Sequence, residues 1–559
     1  MENALPVVKR EKVADRDGEL LRLTKAEETC AREIELMAEE TEVKAGRQVA
    51  AIVRSHVALL GDPELNGGMR RMIREDGFCC EWAVEAVLSR YRHEFEMMED
   101  ELMRQRGADL EDIRIRLLHA LSGSTSRDLS LLPEGSVIAA KELTPSMTAS
   151  MDAGKVAAIL TEEGGIHSHT AILARALEIP AVTGIEGLMD HVQTGMDMIV
   201  DGFSGRVIVN PDAGILGEYA GRREAYLNKK KSLLEYANRR AVTADGREIT
   251  LKINMDRPGD VVSLNRLGAA GVGLLRTEFL FMSREQAPDE EEQFRIYSSV
   301  VRNMGGRPLT IRTLDIGGDK NVPCVRVPKE DNPFLGYRGI RLCLDRREEL
   351  FLPQVRAILR AGAMGNVKIM LPMVACLEEL REGRRLIEEA RRSLRARGIP
   401  CGEHVPVGMM AETPASVLLA DRFAAEADFF SIGTNDLIQY TMAVDRGNNM
   451  VSHIYSPFHP AVLRSVCRIV QAGRQAGIPV GICGEAAADP GFLVFLLGIG
   501  IGEMSMAPPR ILKAKETLGR VDMKTAEETA KRMLLCLTEG EAAALARAAA
   551  GCGEGAGGE

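Results

Sequence analysis

The sequence predicts a multidomain protein with three parts: a helical bundle, a small α/β domain and a C-terminal (β/α)8 barrel. Its first part repeats apolar residues three and four positions apart, which is typical of amphipathic helices. Its second part contains short β-rich runs, and its third alternates about eight candidate strands with helical stretches. With 559 residues, the chain has the length of about three domains.

The composition excludes several classes of protein. Hydrophobic residues make up 45% of the chain and charged residues 27%, so a sizeable core is expected. The net charge of -10 argues against a nucleic-acid partner, and no apolar run is long enough for membrane insertion. A signal-peptide layout is absent, and the 11 cysteines are odd in number and lack CxxC pairs. We therefore expect a cytoplasmic protein with reduced thiols.

The helical bundle is predicted over residues 18–121. Apolar residues such as Ile34 and Met37 recur at helical spacing, and Gly61-Asp62-Pro63 ends a later helix.

The α/β domain is predicted over residues 1–17 and 122–214. Its β-rich runs are residues 136–139, 156–160, 181–183, 198–200 and 206–209. A charged helix without a strong apolar face, residues 215–240, is expected to link this domain to the barrel.

The barrel is predicted over residues 241–540, and the tail after it, residues 541–559, is expected to be disordered. The predicted strands are residues 250–255, 271–275, 309–314, 368–373, 407–411, 429–433, 480–483 and 503–507. Active sites of such barrels lie at the C-terminal strand ends, so reactive side chains there should converge. Those side chains are Arg276, Glu278, Arg312, Asp315, Glu412, Asn435, Asp436, Cys483 and Glu485.

Several arginines combined with acids are typical of a site for a phosphorylated, carboxylated ligand bridged by a divalent cation. A structural alternative makes Arg276–Glu278 and Arg312–Asp315 ion pairs, and makes Asn435-Asp436 a helix cap. Because such residues recur at the same strand position, the functional interpretation is favoured.

A second motif, Gly164-Gly165-Ile166-His167-Ser168-His169, lies in the α/β domain. The glycine pair ends an irregular loop, and an apolar run at helical spacing follows and stops at Pro180. His169 is therefore predicted at or just before a helix N-terminus. Unpaired N–H groups and the helix dipole would stabilise a phosphoryl group carried on its imidazole. A polar helix cap is the alternative.

Together these motifs resemble enzyme I of the phosphoenolpyruvate-dependent sugar phosphotransferase system, over nearly the whole chain. The matching segments are residues 164–165, 168–172, 273–282, 312–320, 332–338, 412–414, 430–437 and 483–485. The resemblance implies a TIM barrel that binds phosphoenolpyruvate (PEP) and a swivelling α/β phosphohistidine domain. It implies an enzyme, a PEP–protein phosphotransferase, which passes the phosphoryl group from PEP to His169 and then to the carrier protein HPr. The bundle would dock the carrier, and sugar uptake would follow.

The resemblance also implies a role for each site residue. His169 and Cys483 would be catalytic, His169 as the phosphoryl acceptor and Cys483 as the group that protonates C3 of the enolate. The substrate-binding residues would be Arg276, Arg312, Asn435 and Arg446, and Mg²⁺ would bind Glu412 and Asp436. A homodimer through the barrel is expected on the same basis. For Cys483, a buried small hydrophobe is the alternative.

Two features depart from the family pattern. His167 stands where the family usually has Thr, so it can alter the hydrogen bonding or pKa of the active imidazole. A second phosphoryl acceptor or a metal pair is the other interpretation of His167. The N-terminus begins inside or after the strand that opens family members, so either the sheet lacks an edge strand or the start codon is misassigned.

Rival functions are weaker. PEP synthase or the dikinase would need an ATP-binding domain ahead of the histidine motif, and no GxxxxGK[ST] loop is present. A nitrogen-type phosphotransferase would carry an N-terminal sensor domain. A paralogue that serves a different carrier is the main alternative, and a non-catalytic PEP-sensing scaffold is disfavoured because all the matched residues are present.

Overall fold

The computed structural model describes residues 8–45, 54, 56–57, 59–97, 101–122, 132–143, 151–152, 154–164, 170–171, 174, 177–282, 284, 286–318, 322–328, 330–446, 448 and 450–551. The chain divides into two compact units, residues 1–223 with 558–559, and residues 224–557. Each unit is described by itself.

The helical region of the first unit contains α1 (Arg16–Ala45), α2 (Pro63–Arg74), α3 (Cys80–Glu96) and α4 (Glu101–Ser122). At the start of α2, the Asp62 carboxylate accepts hydrogen bonds from the N–H groups of Glu64 and Leu65, and Pro63 occupies the first helical position. This confirms the predicted break at residues 61–63. The helices share one apolar core, which includes Leu23, Ile73, Val84 and Leu117.

His56 is buried in this region between two carboxylates. Its Nδ1 lies 3.2 Å from Asp112 Oδ2, and its Nε2 lies 3.2 Å from Asp109 Oδ1. Arg116 also donates to Asp112, at 3.0 Å. Burial on its own lowers the pKa of His56, but the hydrogen bonds to Asp109 and Asp112 outweigh it and raise the pKa to about 9. The imidazole is therefore a charged, structural group at neutral pH.

This arrangement predicts a pH dependence of stability. Because the pKa of His56 is raised on folding, its contribution is complete below pH 6.5 and is lost as pH rises through about 9. The loss should reach about 3 kcal/mol. Trp82, the single tryptophan, lies on α3, so its fluorescence reports unfolding of this region. We expect the free energy of unfolding of wild type to fall between pH 6.5 and 9 relative to that of His56→Gln. If the unfolding free energies of the two proteins changed in parallel with pH, the raised pKa of His56 would be contradicted.

The α/β region of the first unit contains two small sheets. Strands β1 (Ser136–Ala140), β2 (Val156–Thr161) and β3 (Ala181–Val182) pair in parallel in that order. A short helix, α5 (Leu188–His191), precedes the antiparallel pair β4 (Met198–Asp201) and β5 (Arg206–Val209). All five predicted β-runs are confirmed.

The structure describes only part of the histidine motif predicted around residues 164–169. Residues 165–169, including His167 and His169, lie outside the described residues, so the position of His169 at a helix N-terminus stays a prediction. Just after it, Thr170 is buried and its hydroxyl donates to the Leu143 carbonyl at 3.4 Å. At the N-terminal end of the chain, Val13 donates to Gly77, and the Cys79 N–H donates to Glu11. Residues 1–7, where the missing edge strand was expected, are outside the described residues.

The second unit is a closed eight-stranded parallel barrel, which confirms the predicted fold class. In chain order its strands are β6 (Thr250–Met255), β7 (Val272–Leu275), β8 (Leu309–Arg312), β9 (Val367–Leu371), β10 (Val407–Ala411), β11 (Phe430–Ile432), β12 (Val480–Ile482) and β13 (Glu503–Met506). Consecutive strands are neighbours, and β13 pairs with β6 to close the barrel. Every predicted strand is present, with ends that differ by at most two residues.

Helices follow the strands and cover the barrel. They are α7 (Val262–Leu267), α8 (Glu290–Asn303), α9 (Ile340–Asp345), α10 (Leu352–Ala361), α11 (Leu377–Ala396), α12 (Pro414–Leu418), α13 (Ala420–Ala424), α14 (Thr434–Met442), α15 (Pro460–Ala476), α16 (Pro490–Gly498), α17 (Ile511–Leu518), α18 (Met523–Met533) and α19 (Glu539–Ala549). In the part of the chain that is described, no helix is both long enough and apolar enough to cross a bilayer.

The expected disordered tail over residues 541–559 is wrong for residues 541–549, which belong to α19. Thr538 caps this helix, since its hydroxyl accepts from the Glu541 N–H in a capping box. The physical reason lies in α16, which is apolar on all sides and buried from Gly491 to Leu497. Such a helix needs cover on its outer face, and α18 and α19 pack against it. Residues 552–559 lie outside the described residues.

The predicted linker helix is α6 (Ala213–Leu234), which ends before residue 240 and is followed by tight turns. A buried ammonium holds the chain just beyond it. The Lys515 Nζ donates to the carbonyls of Tyr236 and Ala237 at 3.2 and 2.9 Å, and to the Leu267 carbonyl at 2.9 Å. This ammonium therefore joins the residues after α6 to the end of α7.

Candidate functional site

Four of the predicted side chains converge at the carboxyl ends of the barrel strands. Arg312 ends β8, Glu412 follows β10, and Cys483 follows β12. Asp436 is the third residue of α14, the helix after β11. They lie close enough for their charges to interact: Arg312 and Asp436 shift the pKa of Glu412, and Glu412 and Arg312 shift that of Cys483. The convergence expected for this fold is therefore present.

Arg312 is the buried cationic centre of the site. Its Nη2 donates to Glu278, and its Nη1 lies 3.1 Å from Asp315 Oδ2. Burial alone lowers the pKa of Arg312, but the charges of Glu278 and Asp315 outweigh it and raise the pKa. The guanidinium is therefore held in a fixed orientation and permanently charged. Its Nε has no hydrogen-bond partner among the described residues.

The alternative in which Arg276–Glu278 and Arg312–Asp315 are structural ion pairs is correct for the second pair and wrong for the first. Arg312 does pair with Asp315, but Glu278 bonds Arg312 rather than Arg276. Arg276, which is about one-third exposed, pairs instead with Asp256, with its Nη1 2.8 Å from Oδ1. Since Asp256 is mostly exposed, Arg276 presents its guanidinium to solvent at the mouth.

Arg338 is a second buried guanidinium behind Arg312. Its Nη2 donates to both oxygens of Asp315 at 3.1 Å, so Asp315 lies between the two arginines. Its Nη1 donates to the Tyr440 hydroxyl at 3.0 Å and lies 3.5 Å from Asp436 Oδ1. The Tyr440 hydroxyl in turn donates to the Phe334 carbonyl. This chain of contacts joins the loop after β8 to α14.

Glu412 is 1% exposed, and one of its oxygens is held by the main chain. The Met373 N–H donates to Oε1 at 2.6 Å, and Met373 adopts a positive φ of 57°, which is uncommon outside glycine. Burial, together with the charges of Asp436 and Asp315, raises the pKa of Glu412 to about 8. A carboxylate here is therefore electrostatically unsatisfied without a further cation.

Two carboxylate oxygens fit a hard divalent cation. Glu412 Oε2 and Asp436 Oδ1 are both buried without a hydrogen-bond partner among the described residues, and Asp436 Oδ1 has only the longer contact with Arg338 Nη1 at 3.5 Å. A Cβ at Gly433 would come within 2.6 Å of Glu412 Oε2, so glycine preserves the space at this oxygen. Oxygen ligands of this kind are those that Mg²⁺ prefers. The donor set therefore fits the predicted metal.

Cys483 lies at the bottom of the same mouth. It is 3% exposed and packs among Leu274, Met370, Met410 and Phe429, so it is also the buried apolar residue of the alternative interpretation. Burial raises the pKa of its thiol to about 11, despite a hydrogen bond with Ser431 that lowers it. The thiol is therefore protonated at neutral pH.

Asn435 and Arg446 lie at the edge of the site. Asn435 Oδ1 accepts from the Glu485 N–H at 3.4 Å, and the Asn435 carbonyl accepts from the Tyr455 hydroxyl at 3.1 Å. Tyr455 is also in hydrogen-bond contact with Arg446. The helix-cap alternative is wrong for Asn435 and Asp436, because the residue before α14 is Gly433 and supplies no capping side chain.

Three comparisons with known families agree with this geometry. Residues 230–523 match the family "PEP-utilising enzyme, PEP-binding domain". Residues 132–205 match its mobile domain, and residues 3–106 match its N-terminal domain. The chain is 43% identical over 521 residues to the phosphoenolpyruvate-protein phosphotransferase of Geobacillus stearothermophilus, covering 93% of this chain and 89% of that protein. The chain belongs to the phosphoenolpyruvate-protein phosphotransferases.

Other phosphoenolpyruvate-protein phosphotransferases show the same extent of similarity. The Bacillus subtilis protein is 40% identical over 540 residues, covering 97% of this chain and 95% of that protein. The Staphylococcus carnosus protein is 41% identical over 531 residues, covering 95% and 92%. Family membership confirms the predicted enzyme class, and it supports PEP-dependent phosphoryl transfer of the enzyme I type.

Sequence reasoning missed several residues that build the site in this phosphotransferase. Arg338 lies in the segment 332–338, which carries part of the resemblance, but this loop follows no strand directly and so escaped the strand-end criterion. Tyr440 lies one turn beyond Asp436 on α14, a spacing that could have placed both on one face. Met373 acts through its main-chain N–H, which holds Glu412, and a pattern of side chains cannot predict such a contact.

Tyr440→Phe should lower both stability and activity of this phosphotransferase. Removing the hydroxyl leaves Arg338 and the Phe334 carbonyl without a shared partner, at a cost of about 1–3 kcal/mol. Because Arg338 holds Asp315 and lies beside Asp436, we expect protein phosphorylation by PEP to slow roughly tenfold or more. The control is Tyr337→Phe, whose hydroxyl bonds the surface residue Asp345. Equal rates in the two variants would contradict this prediction.

Proposed function

We propose that this enzyme transfers the phosphoryl group of PEP to its own His169 and then to a histidine of an HPr-type carrier protein, which starts sugar uptake. One observation carries the proposal. At the barrel mouth, the buried Arg312 lies beside Glu412 and Asp436, and each of these acids has a buried oxygen without a hydrogen-bond partner. Such a site suits a phosphate-bearing, carboxylated ligand and a cation.

In this proposal the arginines bind and orient the phosphoryl group. Arg312 supplies a fixed guanidinium, Arg276 a more exposed one, and Arg446 a third at the edge of the site. Guanidinium groups match phosphate oxygens and neutralise charge as the group passes in line to the acceptor. Asn435 contacts PEP at the same edge. Little else is required of the protein in this step beyond positioning.

Glu412 and Asp436 would hold Mg²⁺. When bound, the ion supplies positive charge that stabilises the oxygens of PEP in the transition state. Glu412 Oε2 and Asp436 Oδ1 would be the ligand atoms, while the Met373 N–H holds the other oxygen of Glu412. The lack of a hydrogen-bond partner at these two buried oxygens supports the proposed metal ligands.

Cys483 would complete the reaction. Once the bond between phosphorus and the enol oxygen breaks, pyruvate is left as its enolate. The S–H proton of Cys483 moves to C3, the C2–O bond becomes a carbonyl, and the thiolate regains a proton from water. The raised pKa of Cys483 keeps this proton available at neutral pH.

His169 would collect the phosphoryl group when the mobile domain swings to the barrel, and would deliver it to the carrier docked on the helical region. A homodimer through the barrel and a cytoplasmic location are part of the same proposal. The described cysteines are all free, in agreement with a reducing compartment. Gel filtration with and without PEP and Mg²⁺ tests the dimer.

The test of function is phosphoryl transfer from radiolabelled PEP. With Mg²⁺ the protein should acquire an acid-labile label, and purified HPr should remove it. Label on the protein that HPr does not accept, but another carrier does, would favour the paralogue that serves a different carrier. Absence of any label would contradict the whole proposal. Phosphopeptide mapping decides between His169 and His167 as the modified ring.

A further inference from the structure

The main chain of Cys483 is held by a side chain from a strand that is not its neighbour. The Asn254 Nδ2 donates to the Cys483 carbonyl at 2.9 Å, and Asn254 Oδ1 accepts from the Ser505 hydroxyl at 2.6 Å. Asn254 lies on β6 and Ser505 on β13, whereas Cys483 follows β12. Since the strand order is β12-β13-β6, Asn254 reaches across β13 to this carbonyl.

The bond occurs where the regular pairing of β12 stops. The register between β12 and β13 runs through Gly481–Glu503 and ends at Ile482–Met504. Cys483 is the next residue, and its N–H still donates to the Ile432 carbonyl of β11 at 3.0 Å. Its N–H is therefore held from β11 and its carbonyl from β6.

The residue after Cys483 is fixed as well. A Cβ at Gly484 would lie 1.5 Å from the Thr434 Oγ1, so only glycine fits against the first residue of α14. That helix carries Asn435 and Asp436. The peptide planes on both sides of Cys483 are thus held, and the thiol is left with one rotatable bond and its few staggered positions.

We propose that Asn254 is a positioning residue that sets the place of the Cys483 sulfur, and so directs proton addition to one face of the enolate at C3. The inference rests on the proposed role of Cys483 as proton donor. Asn254 is 7% exposed and Ser505 2%, so water does not replace their bonds easily. A displacement of the donor by about 1 Å is enough to slow such a step a hundredfold.

Stereochemistry at C3 is the readout, because a purely structural role would lower yield without changing which face is protonated. PEP bearing deuterium and tritium at C3 in one geometry gives pyruvate with a chiral methyl group if the enzyme delivers the proton. Enolpyruvate that escapes gives racemic product. The variants are Asn254→Asp, which keeps the shape but loses the donor, and Asn254→Ala. Ser505→Ala is the matched control, since it leaves the bond to Cys483 in place.

We expect the stereochemical excess of the product to be at least fivefold lower than wild type in both Asn254 variants. In Ser505→Ala this excess should stay within twofold of the wild-type value. Melting curves identify which variants fold. An unchanged excess in a folded Asn254 variant, or an equal loss in Ser505→Ala, would overturn the inference. So would failure of both Asn254 variants to fold, because the side chain would then serve folding.

Cys483→Ala separates this inference from the function on which it rests. If Cys483→Ala retains the wild-type excess, Cys483 is not the donor and its proposed role fails, whatever the Asn254 variants show. If wild-type protein forms no pyruvate from PEP, the proposed function itself fails. If Cys483→Ala gives a racemic product and wild type a chiral one, Cys483 is the donor. The Asn254 variants then test whether Asn254 positions it.

Discussion

His169→Ala should abolish labelling of this protein by radiolabelled PEP, to below about one-thousandth of the wild-type rate. A phosphoryl group needs a nucleophile, and neutral imidazole is the competent one near pH 7. Among the described residues at the barrel mouth, the Cys483 thiol is protonated at neutral pH and is therefore a poor nucleophile.

His167→Ala is the matched control, because it removes the ring two positions away. It should retain labelling, with a changed pH dependence if its ring bonds that of His169. Mg²⁺-dependent protection by PEP against thermal unfolding should survive in both variants, since the residues proposed to bind PEP lie in the barrel. Retained labelling of His169→Ala, with the label mapped to His167, would reverse the two roles.

Glu412→Gln should lower PEP-dependent phosphorylation at least about a thousandfold, since a bound cation contributes several kcal/mol to such a transition state. The amide oxygen can still accept from the Met373 N–H, so the fold around it should remain. The loss would then reflect the missing negative charge. Glu426→Gln, which removes a partly exposed carboxylate paired with Arg381 outside the site, should leave the rate unchanged.

The same variant should show how much the buried negative charge of Glu412 destabilises the fold. Because the pKa of Glu412 is raised on folding, its contribution to stability is present below about pH 4.5 and is lost as pH rises through about 8. Without metal, Glu412→Gln should therefore equal or exceed wild type in melting temperature at pH 8. Mg²⁺ should raise the melting temperature of wild type but not of the variant. If Mg²⁺ raised the melting temperature of both proteins equally, the ion would bind at a site that does not include Glu412.

The barrel was predictable because its strands are short apolar runs between helical stretches, and such a pattern admits few other folds. The strand-end rule then found Arg312, Glu412 and Cys483 without coordinates. It could not reveal Arg338 and Tyr440, which reach the site from a loop and from a helix interior. The structural alternative named the wrong partner for Glu278, since it paired residues two apart in sequence, whereas Glu278 bonds Arg312 of the neighbouring strand.

The C-terminal helix was missed for a different reason. Its Ala- and Glu-rich sequence has high helix propensity, but its glycine-rich continuation favoured a disordered tail. Its stability comes from covering α16, a contact between distant segments that local pattern does not encode. For His169 the sequence is still the only guide, because residues 165–169 are outside the described part of the chain.

The three carbonyls bound by Lys515 have a consequence for the attachment of α6. Tyr236 and Ala237 share one ammonium with Leu267, so the segment that follows α6 is fastened to the end of α7 in the barrel unit. Loss of this single side chain would leave all three carbonyls without the same donor at once.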